Sequence, residues 1–169
     1  MKWLRFGIAA AICLALFDMA TPTPARADAV ADIKVLQDGF IAAVRAKNLD
    51  AIMKFYVPDK TLFVFDVVPP RQYVGAAAYR KDWQEFLDSL EGPITVEMTD
   101  FAVIADNNLA YGHSIQRIAG KMKDGKTADL TARVTDVYKK IDGHWLVIHE
   151  HVSVPVDLAT GTPDLNSKP

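Results

Sequence analysis

The sequence predicts an α+β domain in which N-terminal helices cover one face of a long antiparallel sheet. Apolar residues recur at helical spacing only in the first half of the chain. The second half instead has four runs with strand-like alternation, separated by short Asn, Asp and Gly turns. Because consecutive strands joined by short turns pair as hairpins, this half is expected to form an antiparallel meander.

Three helices and one short strand precede that sheet. Over residues 28–48, apolar side chains fall every three to four positions and form one buried stripe. Asn48 is placed to cap a second, short helix, which Pro58 ends. A β-branched and aromatic run over 62–67 predicts a strand, and the third helix follows Gly75.

The four strands of the meander are predicted over 94–105, 109–122, 127–141 and 145–154. We expect a three-residue loop in each of the last two hairpins, and this loop length sets the register. The resulting pairs are Lys140 with His144, Val137 with Val147, Thr135 with His149, Arg133 with His151 and Thr131 with Ser153, and, one hairpin earlier, Tyr111 with Val137, His113 with Thr135 and Ile115 with Arg133.

Alternation along the strands divides their side chains into two sets, one for each face of the sheet. The first set mixes aromatic and polar groups: Tyr111, His113, Ile115, Arg117, Arg133, Thr135, Trp145, His149, His151 and Ser153. The second is largely aliphatic: Val134, Asp136, Tyr138, Leu146, Ile148, Glu150 and Val152. We expect the first face to line a pocket that the helices close. No helix is left to cover the second face, so it is predicted to form a homodimer through Val134, Tyr138, Leu146, Ile148 and Val152.

The first 27 residues predict a secretory signal peptide. Lys2 and Arg5 give a basic start, residues 8–17 are apolar, and a small-residue cleavage site ends at Ala27. The apolar run is shorter than the roughly 20 residues of a transmembrane helix. We therefore expect a bacterial periplasmic or secreted protein with no membrane attachment after cleavage.

Composition limits the classes of function. The chain has 169 residues, with 19 Lys and Arg against 21 Asp and Glu and no basic block, so nucleic acid is not an expected partner. The single cysteine, Cys13, lies in the predicted signal peptide. No nucleophile motif, phosphate loop or dinucleotide fingerprint occurs, and we expect no cofactor. The domain is predicted over 28–157, followed by a flexible tail over 158–169.

Five short motifs follow one another along nearly the whole predicted mature chain. They are Asn48-Leu-Asp-Ala-Ile-Met-Lys-Phe-Tyr56, Phe65-Asp66 before Pro69-Pro70, Gly75 with Ala78-Tyr79-Arg80, Arg133-x-Thr135, and Asp142-Gly-x-Trp145-x-x-x-His149-Glu-His151-x-Ser153-x-Pro155. In this order and spacing the chain resembles the SnoaL-like, ketosteroid-isomerase-related branch of the nuclear transport factor 2-like superfamily. The resemblance implies a cone, in which a strongly curved sheet wraps around helices and encloses a deep pocket, and dimerisation through sheet surfaces. It implies no single reaction, because relatives include isomerases, dehydratases, polyketide cyclases and proteins that only bind or assemble.

Proton transfer is the chemistry that the candidate residues favour. His149, His151 and His113 are candidate acids or bases, because histidine titrates near neutral pH. Asp66 ends an apolar strand, where burial would raise its pKa and make it a better base. Two alternatives stay open: the histidines hold the sheet together in a hydrogen-bonded network, and Asp66 shapes the turn before Pro69.

Further side chains are candidates for binding a ligand: Arg133, Thr135, Ser153, Tyr111, Trp83 and Tyr56. Arg133 or Tyr111 would also stabilise negative charge that develops during a reaction. No metal site is expected. His113 and His149 are separated by an intervening strand, and His149 and His151 are two residues apart on one strand, so the three are too far apart to share a zinc ion.

The sequence thus predicts an exported protein that binds a small molecule in a conical pocket. Two functions remain open. The first is a cofactor-free isomerase or dehydratase that transfers protons on a small apolar carbonyl-bearing or cyclic substrate. The second is a non-catalytic ligand-binding or assembly module of the same fold.

Overall fold

The computed structural model describes residues 24–168, and side chains from residue 28 onward. Residues 1–23 of the predicted signal peptide, Cys13 among them, lie outside the described residues. The predicted cleavage site after Ala27 falls in the first turn of helix α1 (Pro24–Arg45). No helix within residues 24–168 combines the length and the apolar composition needed to cross a bilayer.

Helix α1 and the short helix α2 (Leu49–Met53) follow the predicted pattern. The buried stripe of α1 includes Ile33, Phe40 and Val44. Asn48 caps α2 as expected, since its side-chain oxygen accepts a hydrogen bond from the backbone nitrogen of Ala51 at 3.0 Å.

Helix α3 (Ala76–Ser89) begins after Gly75 and turns one face toward the interior. Gly75 has a φ of 86°, a conformation that glycine adopts without steric cost. Tyr79, Trp83 and Leu87 are buried at successive turns of the helix. This spacing places two aromatic rings of α3 on the inner side of the domain.

Six strands form one sheet, in the order β2-β1-β6-β5-β4-β3. Their bounds are β1 (Phe63–Phe65), β2 (Tyr73–Val74), β3 (Leu90–Ala105), β4 (Leu109–Met122), β5 (Thr127–Ile141) and β6 (His144–Ser153). Strand β1 runs parallel to β6, and the other neighbours are antiparallel. Two irregularities in β3 and one in the β5–β6 pair bend the sheet around the helices. The predicted α+β class, with N-terminal helices on a strongly curved, mostly antiparallel sheet, is confirmed.

The predicted register is correct in one hairpin and wrong in the next. Tyr111 pairs with Val137 as predicted, and the rest of the β4–β5 pairing agrees. In the β5–β6 hairpin the loop has two residues instead of three, because Asp142 and Gly143 both adopt a positive φ. Lys140 therefore pairs with Trp145 instead of His144.

A β-bulge adds a second shift to the β5–β6 pairing. Tyr138 pairs with Val147, but Val137 pairs with His149, so Ile148 is an extra residue in β6. Beyond the bulge, Thr135 lies opposite His151 instead of His149.

The predicted assignment of the two sheet faces is reversed. On β5, Val134, Asp136 and Tyr138 are buried, whereas Arg133 is exposed. The aliphatic set therefore faces the helices, and the set predicted to line a pocket lies on the outer, convex face. Trp145 and Leu146 are the exceptions, because the shorter loop shifts the β6 residues before the bulge by one position. Trp145 lies on the inner side, where it is 5% exposed, and Leu146 alternates with it.

Gly112 of β4 helps to fit the inner face together. A Cβ atom at this position would lie 3.1 Å from Cε2 of Tyr138 and 3.3 Å from Cγ2 of Val103. The missing side chain lets the fully buried Tyr138 ring approach the backbone of the neighbouring strand closely.

The face reversal also affects the predicted dimer interface. Val134 and Tyr138 are buried on the inner face, and Val152 lines the interior, so these residues are not available to a second chain. Leu146 and Ile148 are half-buried, and Ile148 packs against the core. A homodimer stays a prediction, and the outer face of the sheet is the one that the helices leave uncovered.

The segment after β6 folds back on itself. Val156 pairs with Pro163, and the backbone nitrogen of Thr131 donates to the carbonyl oxygen of Leu165 at 2.8 Å. The predicted flexible tail, residues 158–169, thus includes a backbone hydrogen bond to β5.

Candidate functional site

A cavity of about 300 Å³ lies between the helices and the concave face of the sheet. This volume is at the lower end of the range for small-molecule pockets, roughly 300–1,000 Å³. Its walls are mainly apolar, with aromatic rings from α1 and α3 and aliphatic side chains from β5 and β6. The main contributors are Phe40, Trp83, Phe86, Leu130, Val134 and Val152.

Asp66 lies at the wall of this cavity, just beyond the end of β1. Its Oδ1 accepts a hydrogen bond from the backbone nitrogen of Val67 at 2.6 Å. Burial raises the pKa of Asp66 above its ordinary value of 3.8, although the hydrogen bond from the backbone nitrogen of Val67 acts in the opposite direction. A carboxylate with a raised pKa binds protons more strongly and is therefore a better base.

Tyr79 connects Asp66 to a second carboxyl group, that of Glu150. The Tyr79 hydroxyl lies 2.6 Å from Oε1 of Glu150 and 3.2 Å from Oδ2 of Asp66. A phenol has one proton, and the shorter distance indicates that it is donated to Glu150. The hydroxyl oxygen of Tyr79 can then accept a hydrogen bond from Asp66 whenever Asp66 is protonated.

Glu150 is held from two sides and faces a further carboxyl group. Its Oε2 accepts a hydrogen bond from the hydroxyl of Tyr56 at 3.0 Å. Across the strand pair it lies opposite Asp136, which accepts bonds from Gln37 and Tyr138, both at 2.9 Å. Asp136 and Glu150 are 2% and 4% exposed, so both carboxyl groups are enclosed by the fold.

No lysine, arginine or histidine within residues 28–168 forms an ion pair with Asp136 or Glu150. Burial raises the pKa of Asp136 to about 6, against its contacts with Tyr138, Glu150 and Gln37. Burial, followed by the charge of Asp136, raises the pKa of Glu150 well above its ordinary 4.5. The pair therefore retains protons to a higher pH than two exposed carboxyl groups would.

This pair should make the protein more stable in mild acid. Both pKa values are higher in the folded state than in the unfolded chain. At pH values between the unfolded-state and the folded-state pKa, the folded state therefore binds more protons. For Asp136, the free energy of unfolding should rise as the pH falls from about 6 toward 3.8. Within this window one such group contributes about 1.4 kcal/mol per pH unit. Urea unfolding at about pH 7.5 and about pH 5 would measure the difference.

The variant Asp136→Asn provides the control for this pH dependence. It leaves all other titratable side chains unchanged and removes one of the two buried carboxyl groups. The stability of the variant should therefore change less between the two pH values. Equal slopes for the variant and the wild type, or a wild type that is less stable at the lower pH, would contradict the expectation.

The structure brings three of the predicted site residues to the cavity or next to it. Asp66 and Trp83 line it. Tyr56 is 1% exposed and contacts Glu150, which is itself part of the wall. These three come from different elements and meet because the helices pack into the concave sheet.

The three predicted catalytic histidines lie on the outer face of the sheet instead. His149 donates from Nδ1 to the carbonyl oxygen of Phe63 at 2.8 Å. The ring of His151 lies 5.5 Å from that of Phe65, and His113 lies 5.8 Å from Tyr111. The predicted inward orientation is wrong for all three, because the helices cover the opposite face.

The remaining predicted ligand-binding residues share this outer location. Arg133, Thr135, Ser153 and Tyr111 do not line the cavity between the helices and the sheet. Arg133 is exposed and lines a separate groove on the outer face, beside Arg117. Among the described residues, no group of three His, Cys, Asp or Glu side chains has a geometry that would hold a metal ion.

The sequence reasoning missed Glu150 and Tyr79 as site residues. Glu150 was assigned with Asp136 to the aliphatic face, yet two carboxyl groups on an otherwise apolar face are themselves a signal. Buried carboxyl groups are costly and concentrate at functional sites, so this pair marked the pocket side of the sheet.

Comparison with known families and structures agrees with this architecture. Residues 33–157 match the SnoaL-like domain. No curated protein matches the chain at a significant level.

Three solved structures illustrate the structural similarity. A protein of unknown function, NTF2-like, from Pseudomonas putida KT2440 is 29% identical with a TM-score of 0.76, and the match covers 85% of this chain and 98% of that one. An NTF2-like superfamily protein from Salmonella enterica is 15% identical with a TM-score of 0.70, covering 80% and 96%. A provisionally assigned scytalone dehydratase from Novosphingobium aromaticivorans is 14% identical with a TM-score of 0.68, covering 77% and 86%. The last two show a shared fold alone.

Proposed function

The chain belongs to the SnoaL-like branch of the nuclear transport factor 2-like superfamily, and we propose that it is a cofactor-free enzyme that transfers a proton on a small, largely apolar carbonyl-bearing or cyclic molecule. The observation that carries this proposal is Asp66, a carboxyl group with a raised pKa at the wall of an apolar cavity. We also propose that the protein acts after export, on the basis of residues 1–27.

Asp66 is the proposed base. A general base works best when its pKa approaches the working pH, and burial moves the pKa of Asp66 in that direction. The protonated form of Asp66 also has a hydrogen-bond acceptor. Protonated Asp66 can donate to the Tyr79 hydroxyl oxygen, whose own proton is directed to Glu150.

Trp83 is the proposed donor to a substrate oxygen. Its side chain lines the cavity and is 8% exposed, and its Nε1 has no hydrogen-bond partner among the described residues. A buried indole N–H ordinarily finds a partner, and a ligand oxygen would supply one. Such a donor would stabilise negative charge that develops on a carbonyl oxygen as the base removes a neighbouring proton.

Hydrogen exchange tests this function without knowledge of the natural substrate. A panel of small ketones (cyclohexenone, tetralone and acetophenone) is incubated with the protein in deuterated water, and proton NMR follows the loss of the signal from the carbon next to the carbonyl. We expect the protein to accelerate the loss for at least one ketone. The rate should fall in acid as Asp66 becomes protonated, with an inflection above pH 3.8.

Two results would contradict the proposal. Exchange no faster than in buffer for every ketone, in a protein whose cavity still binds them, would favour the alternative of a non-catalytic binding module. Catalysed exchange that is independent of pH down to the ordinary pKa of aspartate would exclude Asp66 as the base.

A further inference from the structure

We propose that the cavity takes an amine: an apolar ring that carries a protonated amino group and an oxygen acceptor. This inference rests on the proposed function only in that both place a ligand in the same cavity. It does not depend on any reaction taking place there.

The first support is the sign of the charges around the cavity. The carboxyl groups that line it, among the described residues, are Asp66, Asp82, Glu85 and Glu150, and no lysine, arginine or histidine lines it. Lys81 lies 3.6 Å from Glu85, but both side chains are largely exposed and Lys81 does not line the cavity. An exposed pair of this kind is weak. The cavity is therefore attractive to cations and repels anions.

The second support is the arrangement of the acids near α3. Asp82 and Glu85 are three residues apart on this helix and so lie on the same side of it. Burial raises the pKa of Asp82, and the charges of Asp66 and Glu85 raise it further, whereas its bond with Tyr73 lowers it. Asp82 thus experiences repulsion from the charges of Asp66 and Glu85, and a ligand ammonium group would offset that repulsion.

The third support is the aromatic wall beside these carboxyl groups. The ring of Trp83 lies 5.7 Å from that of Phe40 and 5.9 Å from that of Phe86. All three line the cavity. Aromatic faces attract ammonium groups, and a tryptophan face does so most strongly.

The fourth support, the unpartnered Nε1 of Trp83, is independent of charge. Trp83 directly follows Asp82 in α3. Both residues line the cavity, so a ligand that satisfies both carries an oxygen acceptor in addition to its ammonium group. An aromatic amino alcohol has both groups on adjacent carbons.

A matched set of three probes tests the proposal. Phenylethanolamine, phenylethylene glycol and mandelate share a phenyl ring and a hydroxyl group, and they differ in one terminal group: ammonium, hydroxyl or carboxylate. Dissociation constants are measured at neutral pH by calorimetry or by tryptophan fluorescence. We expect the amine to bind at least about tenfold more tightly than the glycol, and mandelate to bind most weakly.

Asp82→Asn tests whether the negative charge of Asp82 contributes to binding of the amine. Asparagine keeps an oxygen for the hydroxyl of Tyr73, which lies 2.6 Å from Oδ1 of Asp82, so the change removes mainly the charge. Affinity for the amine should fall about fivefold or more, with little change for the glycol. The matched control is Asp88→Asn, an exposed carboxyl group on α3 that does not line the cavity.

The outcomes separate this inference from the proposed function. Selective binding of the amine supports the inference even when no ketone exchanges its protons. Equal or tighter binding of the glycol or mandelate overturns it, even when exchange is catalysed. Failure of the amine to bind at millimolar concentration, or an equal loss of its affinity in Asp88→Asn, overturns it as well.

Discussion

Asp66→Asn should slow the exchange of ketone protons by about 10²–10⁴-fold, the usual contribution of a general base. Asparagine has nearly the same shape as aspartate but does not accept a proton at neutral pH. Its amide oxygen can still accept the bond that Asp66 receives from the backbone nitrogen of Val67. The variant therefore retains the turn after β1 and loses the base. The NMR exchange assay measures the ratio of the two rates on one ketone.

The control for this change is Asp38→Asn, an exposed carboxyl group on α1. Its exchange rate should equal that of the wild type. Urea unfolding checks that Asp66→Asn remains folded, and its stability should not decrease, because the replaced carboxyl group is partly buried and has a raised pKa. A folded Asp66→Asn protein with exchange within about threefold of the wild type would assign the base to another residue.

Phe40→Ala should lower the free energy of unfolding by about 3–5 kcal/mol. Phe40 is 5% exposed and joins the helices of the domain. Its ring stacks on that of Phe55, with 4.5 Å between centroids, and meets Trp83 edge-on at 5.7 Å. Removal of the ring loses these contacts and leaves a cavity. The surrounding aromatic rings cannot move far enough to fill it, because the structure around such a substitution relaxes only in part.

Val35→Ala is the matched control on the same helix. Val35 is 71% exposed, and its truncation should change the stability by less than about 0.5 kcal/mol. If Phe40→Ala does not fold, Phe40→Leu retains much of the volume and should show a smaller loss in the same urea experiment. A loss for Phe40→Ala as small as that for Val35→Ala would mean that these ring contacts do not stabilise the domain.

The elements were largely predictable because their signals are local. Helical spacing, the Asn48 cap and the turns after β3 and β4 each depend on a few neighbouring residues. The bounds of β4 and β5 agree with the prediction. The two-residue strand β2 was not predicted, because it is too short to show alternation and forms only by pairing with β1.

The candidate site was predictable in part. Asp66 was found because a carboxyl group at the end of an apolar strand is unusual in itself, and Trp83 because it lies on the apolar face of a helix. Glu150 was not predicted as a site residue, because it is held in the site by hydrogen bonds with Tyr56 and Tyr79, which lie far from it in sequence. Hydrogen bonds between residues so far apart depend on the packing of whole elements.

The sequence alone determined which residues share a face in β4, in β5 and in the part of β6 beyond the bulge. Alternation with period two grouped His113, Thr135 and His151 correctly, because it is a local property of extended backbone. Tertiary structure decided which face is inside. Period-two alternation is the same whichever face is inside, so the packing of the helices makes that choice. The bulge at Ile148 and the curvature of the sheet direct Glu150 toward α3, and the packing of the helices against that side encloses the carboxyl groups in the pocket.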